Sequence, residues 1–408
     1  MVSGGQTEVC VVGGGPGGMM TGLLLARQGI SVVVLEKHQD FLRDFRGDTV
    51  HPSTFQVLEE IGLVDDFLRI PHTKAPAITM ETATGPFTLT DFSRLPSRYP
   101  YMAFMPQWDV LDFLATAGRS HPAFTLVQGA EVTGLLKNGA TVTGVRYRDA
   151  EGEHELTAKL VVAADGRNSV VRAAAGLRSV ASRAPMDALW FRLSRAEGEK
   201  LPTVRAGKGF LIGCIDRGEY WQVVYMIPKG GYDRVRAAGL DAFRAAVSSI
   251  HGMFADRMAK EIQEWDDVKL LDVRIDRLRR WHRPGLVCIG DAAHAMSPAG
   301  GVGINLAVQD AVATSRILGP VLRSGRTPTP AELDQVRARR ELPMRVVQLI
   351  QVHLLSGLYP SASRKGTDKP LVVRLCRRFP VLPRLLAHII GLGLRPEHVH
   401  TGKGASHS

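Results

Sequence analysis

A two-lobed α/β fold is what this 408-residue sequence predicts. Three observations carry the expectation. The chain opens with a strand, a glycine-rich turn, a helix and a second strand within Val9 to Glu36. Two later apolar strands, Lys159 to Ala164 and Leu286 to Ile289, each run into a carboxylate–glycine pair. Between them, from about Ser182, short apolar segments separated by turns read as a β-rich second lobe. One hydrophobic core rarely serves a chain of this length, so two lobes are expected.

The opening unit is the most informative. Val9, Val11 and Val12 lie in a β-branched apolar run too short for a helix. Gly13, Gly15 and Gly18 follow in G-x-G-x-x-G spacing, with Pro16 and Gly17 inside the turn. Met19 to Gln28 favours a helix, and Gly29 stops it. Gly13 permits the tight turn, Gly15 lets the backbone approach a pyrophosphate, and Gly18 lets helix and strand pack closely. The helix N-terminus offers N–H groups to phosphate. Glu36 lies eighteen residues after Gly18, where an acidic residue takes ribose hydroxyls. The unit is Rossmann-like and expected to bind a dinucleotide, which the motif does not specify.

Downstream, Ser53 and Gln56 suggest a capping box that opens a helix ended by Gly62. Ile78 to Phe92 alternates around Gly85-Pro86 as a strand pair. Trp108 to Ser120 reads as a helix. Phe124 to Leu156 reads as strands turning at Gly129, Asn138-Gly139 and Gly152. In the second lobe, Leu189 to Leu193, Gly209 to Ile215 and Trp221 to Ile227 are strands, and Asp241 to Ile250 and Phe254 to Ile262 are helices. Leu270 to Arg279 alternates as one returning strand. Ile304 to Leu322 and Ala331 to Leu355 are helical, with a kink expected at Pro343. The apolar, basic stretch Leu371 to Gly393 is broken by Pro380 and Pro383; a membrane-surface helix is the alternative reading, and packing on the body is expected because the prolines interrupt any long amphipathic face. The expected division is 1–75, 101–181 and 271–330 for the dinucleotide domain and 76–100 and 182–270 for the second lobe. A C-terminal helical segment, 331–396, and a tail, 397–408, complete it.

Composition excludes some functions. The chain is 45% hydrophobic and 22% charged, as in an ordinary globular protein. Its net charge of +11 comes without a basic stripe interleaved with aromatics, so no nucleic-acid partner is expected. Cys10, Cys214, Cys288 and Cys376 are far apart and form no C-x-x-C. Reduced core thiols in a cytoplasmic protein are expected, with neither disulfide nor metal. No secretory leader or uninterrupted membrane span is read.

The strand-end motifs are Asp165-Gly166 in LVVAADGRNSVVR and Gly290-Asp291 in LVCIGDAAHAMSPAGGVGINLAVQDA. Ligands bind at that edge of open α/β sheets. Asp291 can accept hydrogen bonds from a sugar-alcohol chain. Gly300, Gly301 and Gly303 let the backbone lie near a flat ring. A helix starting near Ile304 aims N–H donors at it, which suits an electron-rich, partly anionic ring.

With these three motifs in order over roughly residues 8 to 345, the chain resembles the single-component FAD-dependent aromatic and polyketide hydroxylases, the group of para-hydroxybenzoate hydroxylase. The resemblance implies a glutathione-reductase-type FAD domain with a β-sheet substrate lobe. It implies that Gly13, Gly15, Pro16, Gly17 and Gly18 hold the FAD pyrophosphate, and Glu36 with Lys37 the adenosine ribose. Arg46 resembles the family's arginine at the cofactor, and Gln107 its Arg/Gln at the ribityl chain. Asp165 would support the FAD and NAD(P)H sites, and Asp291 would bind ribityl hydroxyls. Pro298, Gly301, Gly303, Ile304 and Asn305 would cover the isoalloxazine ring. Val302 departs from the glutamine common in the family. His294 is read as a positioning or core residue, and no side chain is assigned catalysis.

The implied activity is oxygenation, by hydroxylation or epoxidation, through a flavin C4a-hydroperoxide formed with NAD(P)H and O2. Trp190, Phe191, Phe210, Trp221 and Tyr225 are candidates for the substrate wall, with Trp221 and Tyr225 on one strand face. They suggest a bulky hydrophobic natural-product intermediate. The alternatives are a flavin oxidase or dehydrogenase acting on a late biosynthetic intermediate and a non-catalytic flavin-binding protein. A halogenase would carry Trp-x-Trp-x-Ile-Pro, which the segment Tyr220 to Pro228 retains only in part.

Overall fold

The computed structural model describes residues 5–42, 49–82, 85–182, 184–207, 209–358 and 371–399. The strand Gln6–Val12 lies at the centre of a parallel sheet. It pairs with Val32–Glu36 on one side and with residues 157–163 of Gly152–Ala163 on the other. Phe124–Gln128 and Leu286–Cys288 extend the parallel array outward. Val9 and Val11 pack under the helix Pro16–Ala26 with Met19, Leu23 and Val34. Cys10 and Val12 pack on the opposite face with Leu35, Val161 and Ala163. Both faces are covered, which is why these strands read as continuous apolar runs rather than alternations.

The second sheet, seven strands among the described residues, runs in the order Lys269–Leu271, Met186–Ser194, Tyr220–Pro228, Phe210–Asp216, Val204–Gly207, Ala77–Thr82, Gly85–Asp91. One face carries the helices Leu240–Ile250 and Ala255–Glu261, packed through Leu189, Phe191, Trp221, Val223, Phe243 and Met258. The other face, with Ala188, Trp190, Leu211 and Met226, joins the core shared with the parallel sheet.

Three local expectations are corrected. The stretch Leu270 to Arg279 is not one strand. Lys269–Leu271 pairs with Met186–Ser194, whereas Ile275–Leu278 pairs with Ser179–Ser182. Between them the Asp187 carboxylate takes the Val273 N–H at 3.0 Å, and Lys229 donates to Asp187, Asp272 and the Val273 carbonyl, so side chains replace the ladder where the chain changes sheets. Ser53 is not a helix cap. The helix Pro52–Glu60 starts after His51, and the Ser53 hydroxyl is used on Asn305 instead. Nor does the tail begin at residue 397. Glu397 is 2% exposed, because Arg316, Arg339 and Arg340 all donate to its carboxylate and its N–H donates to Gln309.

The helix Pro330–Leu358 continues through Pro343. Two short helices follow, Leu371–Arg378 and Val381–Gly391, separated at Pro380. The second packs on the body, where Gly391 lies against Phe92 and Leu95. No helix among the described residues is long and apolar enough to cross a membrane.

Candidate cofactor and substrate site

The parallel strands end at one level. Val12 stands beside Leu35 and Ala163, and Ala163 beside Cys288. Gly13–Gly17, Asp165-Gly166 and Gly290-Asp291 therefore leave the sheet side by side and line one cavity of about 760 Å³.

The glycine turn is built by close approach. Gly13 has φ +103°, and a Cβ there would lie 2.5 Å from the Ala164 carbonyl oxygen. A Cβ at Gly18 would lie 1.9 Å from the Gly13 oxygen. Gly15 differs, since a Cβ there meets nothing within 4 Å and would project into open space. No side chain caps the N-terminus of Pro16–Ala26. The first-turn N–H groups and the bare backbone at Gly15 form a cradle that fits a pyrophosphate. Glu36 lines the same end, its carboxylate accepting the Gly14 N–H at 2.8 Å and the His38 N–H at 3.1 Å.

Asp165 serves the fold and the cavity together. Its carboxylate accepts from the Ser169 hydroxyl at 2.6 Å and the Val171 N–H at 3.2 Å. Burial pushes its pKa up, and those hydrogen bonds only partly offset the rise. Asp291 accepts from Arg167 Nη2 at 3.3 Å, with both side chains about one third exposed.

The loop at 297–303 is braced from behind. Gly300 and Gly301 have φ +77° and +62°, and a Cβ at Gly301 would fall 2.0 Å from Thr49 Oγ1. The Gly301 carbonyl accepts from Thr49 Oγ1 at 2.7 Å and from His51 Nε2 at 3.1 Å. Burial lowers the His51 pKa to about 4, so the neutral ring donates through Nε2. Gln351 accepts the Ser297 N–H and donates to the Ser297 and Ala299 carbonyls. The helix Gly303–Arg323 then begins without a side-chain cap, and a Cβ at Gly303 would meet nothing within 4 Å. Its first N–H groups can face a polar ring edge.

A buried ion network holds the Gly290-Asp291 turn. Asp310 accepts from the Gly290 N–H at 3.0 Å, His294 Nε2 at 2.6 Å and Arg340 Nε at 3.0 Å. Burial alone would raise its pKa. The interactions with His294, Arg340 and the Gly290 N–H overcome that and hold the carboxyl below its usual range. His294 is thus a core partner of Asp310, in keeping with the positioning role read from the sequence.

The cavity gathers Gly13, Gly15, Pro16, Gly17, Glu36, Lys37, Gln107, Asp165, Asp291, Pro298, Gly301, Gly303 and Ile304. Gly18 stands behind it and acts through packing. Asn305 does not line it. Its Oδ1 accepts from Ser53 and Thr54 and its Nδ2 donates to the Ile390 carbonyl, fixing one helix to two others. Arg46 lies outside the described residues.

The aromatic wall is corrected. Phe191 and Trp221 are buried on the helix-covered face of the second sheet, and Phe210 and Tyr225 pack against the same cluster. Trp190, one residue out of phase with Phe191, faces the cavity. Ile78, Met80 and Leu89 from the early hairpin, Leu211, Val224 and Met226, and Leu386 and Ile390 from the last helix complete the apolar end. The alternation of Ile78 and Met80 marked a buried face, but nothing local indicated what it would face. Leu386 and Ile390 carried only a helical period.

The FAD binding domain family matches residues 6–349. 6-Methylpretetramide 4-monooxygenase of Streptomyces rimosus is 31% identical over 387 residues, 95% of this chain and 92% of that protein. Rifampicin monooxygenase of Streptomyces venezuelae is 29% identical over 318 residues, 74% of this chain, and the match spans 62% of that longer protein. Anhydrotetracycline hydroxylase OxyS from Streptomyces rimosus superposes with a TM-score of 0.76 at 24% identity, over 98% of this chain and 78% of that one. At that identity the likeness is one of fold.

Proposed function

The chain belongs to the FAD binding domain family of aromatic and polyketide monooxygenases, and from that premise we propose that it hydroxylates or epoxidises a bulky hydrophobic aromatic intermediate of natural-product biosynthesis, with NAD(P)H and O2 as co-substrates. One observation carries the reading. A single cavity joins a glycine-lined polar end at the sheet edge to an apolar end walled by Ile78, Met80, Leu89, Trp190 and Met226.

When bound, the flavin supplies the redox and oxygen-activating chemistry. The chain's part is to bind, orient and exclude water. Gly13 to Gly17 would hold the pyrophosphate, and Glu36 the adenosine ribose. Asp291 would take ribityl hydroxyls, kept in place by Arg167 beside it and by the Asp310 anchor behind the turn. The N–H groups of Gly303 and Ile304 would stabilise negative charge on the carbonyl end of the ring. The apolar walls keep water from the reacting edge. No side chain is assigned a proton transfer, since His294 is bonded to Asp310 and His51 to Gly301. The four buried cysteines, unpaired in the fold, support action in a reducing cytoplasm.

The test is turnover under 18O2 with a polycyclic phenol and NADPH or NADH. The reading requires substrate-dependent NAD(P)H consumption and one labelled oxygen in the product. An unlabelled product that has lost two hydrogens would replace it with an oxidase or dehydrogenase.

A further inference from the structure

The last two helices carry a surface that the cavity does not use. Between 371 and 396 the sequence holds Arg374, Arg377, Arg378, Arg384 and Arg395, and no Asp, Glu, Ser, Thr, Asn or Gln. Leu375 and Phe379 stand four residues apart at one end of this corner, Val381 and Leu385 four apart at the other. They are 39%, 47%, 63% and 52% exposed. The Phe379 N–H donates to the Leu375 carbonyl at 2.8 Å and the Leu382 N–H to the Phe379 carbonyl at 3.0 Å, so the two apolar pairs meet at one tight turn. The inner side is committed to the body. Cys376, Ala387 and Ile390 are buried, and Arg377 donates to the Gly85 carbonyl at 2.8 Å. Asp91, the acid bordering the adjacent groove, is used on the Ser93 N–H and hydroxyl.

We propose that this corner docks the protein reversibly on an anionic phospholipid surface. Leu375, Phe379, Val381 and Leu385 enter the headgroup–acyl boundary, and Arg374, Arg378 and Arg384 lie among the phosphates. Apolar side chains beside cations are what an interfacial helix needs, and among the described residues no carboxylate pairs with Arg374, Arg378 or Arg384. The charge is complementary over the whole molecule, whose net charge is +11. A protein partner is the poorer fit. A protein interface pairs donors and acceptors in both directions, whereas the polar side chains of 371–396 are guanidinium and imidazole groups, with no carboxylate, amide or hydroxyl acceptor among them. The opposite side of the same helix, through Leu386 and Ile390, lines the cavity, so docking brings the cavity to a phase in which an apolar substrate dissolves. That last consequence alone rests on the proposed function.

Cosedimentation of the full chain with vesicles tests the proposal. Wild type should bind phosphatidylcholine vesicles containing phosphatidylglycerol, release from them in high salt, and ignore phosphatidylcholine alone. The triple variant Arg374→Gln/Arg378→Gln/Arg384→Gln should lose binding on the order of a hundredfold. Phe379→Ser/Val381→Ser should lose it by about tenfold or more. Failure of wild type to bind anionic vesicles overturns the proposal, as does equal binding to neutral ones or binding by either variant at the wild-type level. Lipid-free self-association abolished by the same substitutions would assign the corner to a second copy instead. The wild-type comparison needs no variant, so misfolding of one does not blunt the test.

Discussion

Two glycines three residues apart do different work, and substitution separates them. A methyl at Gly18 meets the Gly13 carbonyl at 1.9 Å, a backbone contact that cannot yield cheaply. Gly18→Ala should therefore destabilise the cofactor-free protein by about 3 kcal/mol or more, seen as a lowered urea midpoint. A methyl at Gly15 meets nothing and sits on extended backbone. Gly15→Ala should fold normally yet lose roughly ten- to hundredfold in FAD affinity, as expected for a methyl forced into a packed contact. Equal effects of the two on stability would contradict the cradle. His51 supplies a second residue-scale prediction. It takes up its proton near pH 4 when folded and near 6.5 when unfolded. Below pH 6.5 the unfolded chain binds more protons, so stability falls as pH drops through that window. Burial lowers His251 and His282 as well, in the same sense. His51→Gln, which keeps a donor for Gly301, should remove about 3 kcal/mol of the acid-induced loss, measured as urea midpoints at the two ends of the window.

At the scale of elements, strand phase decides which aromatic faces the cavity. Met186–Ser194 is buried on both faces along most of its length. Its apolar run therefore carries no period that tells Trp190 from Phe191, and the helices on one face were needed to break the tie. The cradle was legible in the sequence for the opposite reason: its glycines, helix and Glu36 form one local unit whose geometry needs no distant partner. Asn305 falls between these cases. It belongs to the glycine-rich stretch by sequence, but it lies far enough into the helix to turn toward Ser53 and Ile390. The phase assignment predicts a split. Trp190→Phe should raise the substrate KM severalfold with little loss of stability. Trp221→Phe gives up the buried pyrrole part of the indole and its hydrogen bond to Glu199, so it should cost about 1–3 kcal/mol and leave KM unchanged. Reversal of that pattern in steady-state kinetics and urea unfolding would return the substrate wall to the helix-covered face.

On the scale of the whole molecule, the site exists because two sheets from separated parts of the chain share one cavity. The early hairpin was legible as a strand pair. Its parallel pairing with Val204–Gly207, more than a hundred residues later, was not, because register between distant strands leaves no local trace. The C-terminal segment was legible only as helices. Its closure of the apolar end through Ile390, and its anchoring through Glu397 to three arginines, arise from packing against elements that the sequence does not juxtapose. What the two-lobed arrangement predicts is a flavin that NAD(P)H can reduce beside an apolar chamber. The direct measurement is the visible spectrum of the purified protein, loaded with FAD and followed anaerobically as NADPH and then NADH are added beside a polycyclic phenol. The account predicts a bound-flavin spectrum that bleaches, faster with the phenol present. A protein that takes up no FAD, or whose bound flavin neither coenzyme bleaches, would contradict it.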